Sequence, residues 1–358
     1  MNETSIDTPP KKKGGALKIL VSLFVALLLL AALLVGGGYY YAKQQLIAPG
    51  PITATGEDRI VMIPKGASVL SMANALEEVG AIEDTRHFRL AAKYLKSETQ
   101  MKAGEFAIPS GASLKEIVEI LVDGKSILYP VTIPEGLTSD MILQRLAEMD
   151  ILTGEAPSDI AEGVMLPDTY MVSRGESREA IVRRMIAAQN TLIDSLWATR
   201  QAGLPIETKE DAIILASIVE KETGLPEERP EVAAVFTNRL RRSMRLETDP
   251  TIIYGVCLLH PDRCSNGRLV DSKGNQRGIR RSELDMETGY NTYKIPALPP
   301  GPICNPGKEA IAAVLNPPQS KYIFFVADGS GGHAFAVTHG EHLRNVANWR
   351  RIEREKKK

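Results

Sequence analysis

The strongest constraint in this chain is a run of 23 residues over 19–41 that contains no Asp, Glu, Lys or Arg. Wound as an α-helix at about 1.5 Å per residue it reaches ~35 Å, enough to cross a bilayer core of about 30 Å. Its body is Leu, Val, Ala and Phe with one Ser, and it closes on Gly36-Gly37-Gly38 and Tyr39-Tyr40-Tyr41, rings suited to the membrane interface. A cleaved signal peptide has a shorter apolar core, about 7 to 15 residues, followed by a small-x-small site; three consecutive Tyr do not supply one. The reading is a retained single-pass helix that meets membrane lipid through residues 19–41. Lys11, Lys12, Lys13 and Lys18 precede it and Lys43 alone follows closely. The positive-inside rule therefore puts the tail 1–18 in the cytoplasm and everything after the span outside the cytoplasmic membrane, in the periplasmic or extracytoplasmic space.

The chain has 358 residues, which at about 150 residues per domain allows two folded units. Lys and Arg total 43 against 44 Asp and Glu, a net charge of −1. That balance lacks the cationic excess of a nucleic-acid binder, so no nucleic-acid partner is expected. Outside the cytoplasm disulfides persist, and Cys257 and Cys264, with six residues between them, can pair there. Cys304 is left over and reads as a buried thiol.

A Pro, Gly and Thr-rich stretch (Ala48-Pro-Gly-Pro-Ile-Thr-Ala-Thr-Gly56) marks a linker over 42–57. Three segments then share the pattern Ile-Pro-x-Gly-x-Ser/Thr: Ile63 to Ser68, Ile108 to Ser113, and Ile133 to Thr138. Each reads as a strand end, a turn and a helix N-cap: Pro lacks the N–H to continue a ladder, Gly supplies turn freedom, and the hydroxyl accepts from free helix amides. Ser113 and Glu116 predict a capping box. The helices that follow place Val69, Met72, Ala73, Leu76 and Leu114, Ile117, Val118, Leu121 at i, i+3, i+4, i+7, with Gly80 and Gly124 as stops. The spacing between the segments is uneven, which excludes a solenoid. Gly124-Lys125-Ser126 resembles the end of a phosphate-binding loop, but Glu119 stands where that motif needs Gly.

From Tyr129 the pattern becomes a larger mixed domain over 129–358. Helices are predicted over 138–149, 178–199, 209–223 and 232–242, a hairpin from 322–327 and 333–338, and a charged helical tail from 341. The fold class is α+β.

The helix after Lys209 is the most informative. Its apolar side chains cover nearly the whole circumference, which predicts burial, yet it carries Glu220 and Glu222. Two steps of about 100° point these carboxylates roughly 160° apart, so one pocket can use only one of them. A carboxyl in apolar surroundings retains its proton toward neutral pH and can protonate a leaving oxygen, as glycoside cleavage requires. The same placement suits structural ion pairs near a helix end.

Leu215-Ala-Ser-Ile-Val-Glu220-Lys-Glu-Thr, together with Leu166-Pro-Asp-Thr-Tyr170, Thr248-Asp-Pro-Thr251, Tyr254-Gly255, Tyr290-Asn-Thr-Tyr293, Leu298-Pro-Pro-Gly-Pro-Ile303 and His333-Ala-Phe335, resembles the membrane-bound YceG-like endolytic murein transglycosylases. The motifs are collinear from the anchor to about Asn345. The resemblance implies that Glu220, not Glu222, is the catalytic acid/base, and that 58–128 is a LysM-like α/β subdomain. It also implies cleavage of the MurNAc-β-1,4-GlcNAc bond within nascent peptidoglycan strands, leaving 1,6-anhydro-MurNAc ends and terminating elongation. Glycan strands and the peptidoglycan synthases are the implied partners. Because the sugar's own C6 hydroxyl attacks, one Glu serves where hydrolases need two carboxylates, and no metal or organic cofactor is called for. The rival readings are a hydrolytic muramidase and a non-catalytic wall-binding scaffold of the elongation machinery.

Asn291, Tyr293 and Asn305 offer donors, acceptors and a ring face for an acetamido sugar, with packing and turn roles as the alternative. Asp168, Tyr170 and Asp249 are substrate-binding candidates by motif position, and His333 and Glu341 are placed to border the cleft. His333, His339 and His342 cluster with Glu341, but without a His-Glu-x-x-His spacing polar packing and capping are the expectation, and no metal is assigned. There is no Gly-x-Ser-x-Gly elbow. The polar stretch from Cys257 to Arg281 is longer than the resemblance leads one to expect and reads as a surface loop.

Overall fold

The computed structural model describes residues 15–356. The tail residues Lys11, Lys12 and Lys13 that set the expected orientation lie outside the described residues, as do Lys357 and Lys358. The chain divides between Leu128 and Tyr129 into two compact units.

The first unit opens with helix α1 (Gly15–Ile47). Residues 18–47 of it are long and apolar enough to cross a membrane, and their most apolar stretch buries nothing against protein. The helix runs past Tyr41 to Ile47, and the Pro-Gly stretch that follows is pinned down. Gly50 N–H donates to Gly111 O and Gly111 N–H returns to Pro51 O, both at 3.1 Å; Thr53 N–H donates to Ser110 Oγ at 2.8 Å. The residues read as linker thus dock on the second Ile-Pro-x-Gly turn.

Strand β1 (Arg59–Ile63), helices α2 (Val69–Glu78) and α3 (Thr85–Tyr94), strand β2 (Gly104–Ile108) and helix α4 (Leu114–Asp123) complete the unit. β1 and β2 pair antiparallel, Arg59 opposite Ile108 and Ile63 opposite Gly104. Their inward residues Val61, Ile63, Phe106 and Ile108 bury against Leu76, Phe88, Ile117 and Leu121. Ser68 caps α2, and Ser113 with Glu116 forms the capping box of α4. Helix α3 has no counterpart among the sequence expectations: its short inward face, Phe88, Ala91 and Ala92, lies among charged neighbours that mask the period.

The second unit begins with β3 (Tyr129–Thr132) and α5 (Ser139–Ala147), which is capped by Thr138. Gly136 in the intervening turn has φ +75°, a conformation that favours glycine, and Gly66 and Gly111 adopt it at the two earlier turns. β5 (Thr169–Val172) lies antiparallel to β3, while the short β4 (Leu152–Thr153) and β6 (Glu176–Ser177) form a parallel pair. Helices α6 (Arg178–Ala198), α7 (Lys209–Glu222) and α8 (Arg229–Arg241) follow. Then come α9 (Asp249–Leu259), the hairpin β7 (Cys264–Ser265) and β8 (Arg268–Leu269), and α10 (Arg281–Leu284). The chain ends with α11 (Lys308–Leu315), the hairpin β9 (Phe324–Ala327) and β10 (His333–Ala336), and α12 (His339–Lys356). α7 is the hub: every residue from Ala212 to Val219 is buried, and Ile218, Val219, Val232, Phe236, Ile311 and Val314 share its core. A disulfide joins Cys257 to Cys264, and Cys304 is a buried free thiol.

Candidate active site

The site is built where α7 ends. Its last turn carries Glu220, whose side chain is only 5% exposed; two separate segments meet that carboxylate and a third joins through Arg229. Arg229, the first residue of α8 and itself 9% exposed, donates from Nη2 to Glu220 Oε1 at 2.8 Å. The same Nη2 donates to Glu135 Oε2, also at 2.8 Å. Gly307 N–H donates to Glu220 Oε2 at 3.0 Å. Burial raises the Glu220 carboxyl above its ordinary value; the Gly307 N–H and the Arg229 charge pull it back, and the Glu135 charge adds to the rise.

The Gly307 amide is delivered by a strap over 303–307 that the polar residues of α7 and α5 hold in place. Ser217 Oγ donates to Ile214 O and accepts from Ile303 N–H at 3.0 Å. Asn305 is fully buried; its Oδ1 accepts from Met165 N–H at 2.9 Å and its Nδ2 donates to Ser139 Oγ at 3.1 Å. Its backbone exchanges hydrogen bonds with the third turn, Gly136 N–H to Asn305 O and Asn305 N–H to Leu137 O. A methyl group on Gly307 would collide with Glu135 Oε1. Lys221 Nζ donates to Gly136 O at 3.1 Å. The Ile-Pro-Glu-Gly turn is thereby locked over Glu220.

Gly136 and Lys221 also line a cleft of about 750 Å³, with Glu162, Tyr254, Met141 and Arg268 around it. The loop after Cys257 forms one wall, and Gly267 at the hairpin tip faces Met141 Sδ, to which an added methyl group would stand 3.6 Å. Glu162 Oε2 accepts from Ser139 N–H at 3.0 Å, and burial pushes its carboxyl up to about 7.

The other sequence candidates are dispersed. Tyr293 OH donates to Asp249 Oδ1 at 2.9 Å, which joins those two. Glu222, pushed up to about 7 by burial and drawn back by Thr248, belongs to this neighbourhood, so the two carboxylates of α7 do serve different surroundings. Asn291 is fully buried and its amide ties down a loop, donating to Leu284 O and Met286 O and accepting from Tyr293 N–H. Tyr170 is buried with its OH on Leu166 O at 2.7 Å, and Asp168 Oδ1 accepts from Thr169 N–H on the surface. His333 pairs through Nδ1 with Glu228 Oε2 at 2.7 Å, one residue before Arg229. Glu341 caps α12 by accepting from Val337 and Thr338 N–H. The rings of His339 and His342 flank Phe324, and among the described residues no three His, Cys, Asp or Glu side chains are grouped as metal ligands. Glu135, Arg229 and Gly307 are the site residues that sequence reasoning missed. The signal for Glu135 was the third Ile-Pro-x-Gly turn, the one repeat with a carboxylate at x.

Residues 61–348 match the YceG-like family. An endolytic murein transglycosylase of Streptococcus pneumoniae serotype 2 (strain D39) is 28% identical over 342 residues, which cover 83% of this chain and 59% of that protein. The chain thus spans about three fifths of the length of its pneumococcal relative. An endolytic murein transglycosylase of Bacillus subtilis (strain 168) is 27% identical over 314 residues, covering 79% and 82%. A crystal structure of a putative yceG-like protein from Listeria monocytogenes is 28% identical, covers 81% of this chain and 99% of that one, and superposes with a TM-score of 0.47.

Proposed function

The chain belongs to the YceG-like family, and from that premise we propose that it is an endolytic lytic transglycosylase of peptidoglycan, with Glu220 as its single acid/base. The observation that carries the reading is the setting of Glu220: a buried carboxyl at the end of a buried helix, one oxygen on Arg229 and the other on Gly307 N–H, beside Gly136 and Lys221, which line an open cleft. The names of the pneumococcal and Bacillus relatives support the substrate class.

In this mechanism the protonated Glu220 gives its proton to the glycosidic oxygen as the C1–O bond of the muramyl residue breaks. The C6 hydroxyl of that same sugar forms the new bond to C1, and its proton returns to Glu220. No water is consumed, and the product is an anhydro end. Arg229 and Gly307 N–H hold the carboxylate while it is charged, and Glu135 limits how far Arg229 favours that charged form. α1 serves as the retained anchor that keeps the catalytic unit outside the cytoplasmic membrane, and residues 58–128 as a LysM-like wall-binding module beside the synthases that make the substrate.

Glu135 favours the hydrolytic rival, because it brings a second carboxylate close to the first. Product chemistry separates the two. Digests of purified glycan by the full chain, treated with borohydride, should contain muramyl ends that resist reduction. Reducible ends would replace the transglycosylase by a muramidase, and no cleavage at all would favour the scaffold.

A further inference from the structure

We infer that the outward face of α3 is a membrane-surface helix that seats on anionic phospholipid head groups beside the anchor. This rests on α1 being the retained anchor. Helix α3 buries Phe88, Ala91 and Ala92. At about 100° per residue its opposite face carries two adjacent stripes: Arg86, Arg89 and Lys93 at i, i+3, i+7, and Leu90 and Tyr94 one helical turn apart. Leu90 is 64% exposed and Tyr94 52%. The helix contains no Asp or Glu, and Asp84 at its cap is paired to Arg86.

The depth of this face follows from α1. Tyr94 OH lies 3.1 Å from Tyr39 OH, with ring centroids 6.3 Å apart. Tyr39 opens the trio that ends the apolar span, so a bilayer crossed by 19–41 places Tyr94 at the same interfacial level. Between the two helices runs a groove of about 380 Å³ lined by Tyr41, Leu46, Leu90, Lys93, Tyr94 and Leu114. Tyr41, at the end of the apolar span, forms part of its wall. An apolar stripe with a basic row beside it, held at interfacial depth, is the arrangement of helices that lie in the plane of a bilayer and attract anionic lipid. The apolar groove receives the upper acyl segment, and Arg89 and Lys93 meet the phosphate. Water alone would leave most of Leu90 and about half of Tyr94 exposed.

The test uses the full chain in nanodiscs, with bimane attached to a Leu90→Cys variant; Cys304 is buried and the other two cysteines are paired. Lipids carrying a nitroxide near the head group are the quencher. The expected result is strong quenching in discs containing phosphatidylglycerol, weaker quenching in phosphatidylcholine alone, and loss of that difference in Arg89→Gln/Lys93→Gln. An unquenched label would overturn the inference, and quenching indifferent to lipid charge would overturn the role of the basic row. If the chain fails to enter discs at all, the anchor reading is what fails, and the two failures are distinguishable by whether protein and disc co-elute.

Discussion

Glu220 and Glu222 stand two residues apart on α7, and burial raises both carboxyls, yet their surroundings differ in kind. Glu220 is met by Arg229, Gly307 N–H and, through the arginine, Glu135, contributed by three distant segments. Glu222 sits by Thr248 and Asp249 at the start of α9. Burial alone makes a weak acid. A carboxyl that must both give and take back a proton also needs donors that hold its charged form and a route to substrate. Glu220 has the donors, and its neighbours Gly136 and Lys221 line the cleft.

The largest expected effect sharpens this contrast. Glu220→Gln should lower formation of anhydro ends by about a thousandfold, within the range of lost acid/base catalysis, whereas Glu222→Gln should leave turnover largely intact while changing stability; equal losses would dissolve the distinction. Next in size is Gly307→Ala. Its methyl displaces Glu135 and shifts the amide on Glu220, and a misplacement of about 1 Å costs on the order of a hundredfold, read as a fall in kcat with chymotrypsin-resistant, folded protein.

Glu135→Gln is subtler and has a definite sign. Removing that negative charge removes one of the influences that raise Glu220. Glu220 then loses its proton at lower pH, and the alkaline limb of the kcat profile should move to lower pH with the acid limb little changed. A limb that stays in place would show that Arg229 screens Glu135 completely. The smallest effect belongs to the first unit: Ser113→Ala removes the capping box of α4 and should cost about 1 kcal/mol of stability. It should not alter the pH profile, since the carboxylate held by that turn is the capping Glu116 of the first unit and not Glu220.

The same local pattern therefore does two jobs, and only one was legible in sequence. Ile63, Ile108 and Ile133 are all buried, and the hydroxyls of Ser68, Ser113 and Thr138 all cap helices, because turn and cap chemistry act over a few residues. The burial of α7 and the divergence of its two carboxylates were equally readable from helical geometry. The partners of Glu220 were not. Arg229 and Glu135 are 94 residues apart in sequence, and Gly307 contributes a backbone N–H, which no side-chain pattern records. Helix α9 escaped notice because Pro250 looks like a breaker, although at the first turn of a helix it is tolerated. Asn291 and Asn305 looked like sugar ligands by chemistry, but burial commits Asn291 to a loop and Asn305 to the strap that carries Gly307.

The central claim, one glutamate using the sugar's own hydroxyl, is tested most directly by digesting purified glycan with the full chain in heavy-oxygen water and weighing the muramyl ends. Intramolecular attack predicts anhydro ends with no heavy oxygen incorporated. Ends that each carry one heavy oxygen would mean that water is the nucleophile, and Glu135 would then have to be reassigned as its base.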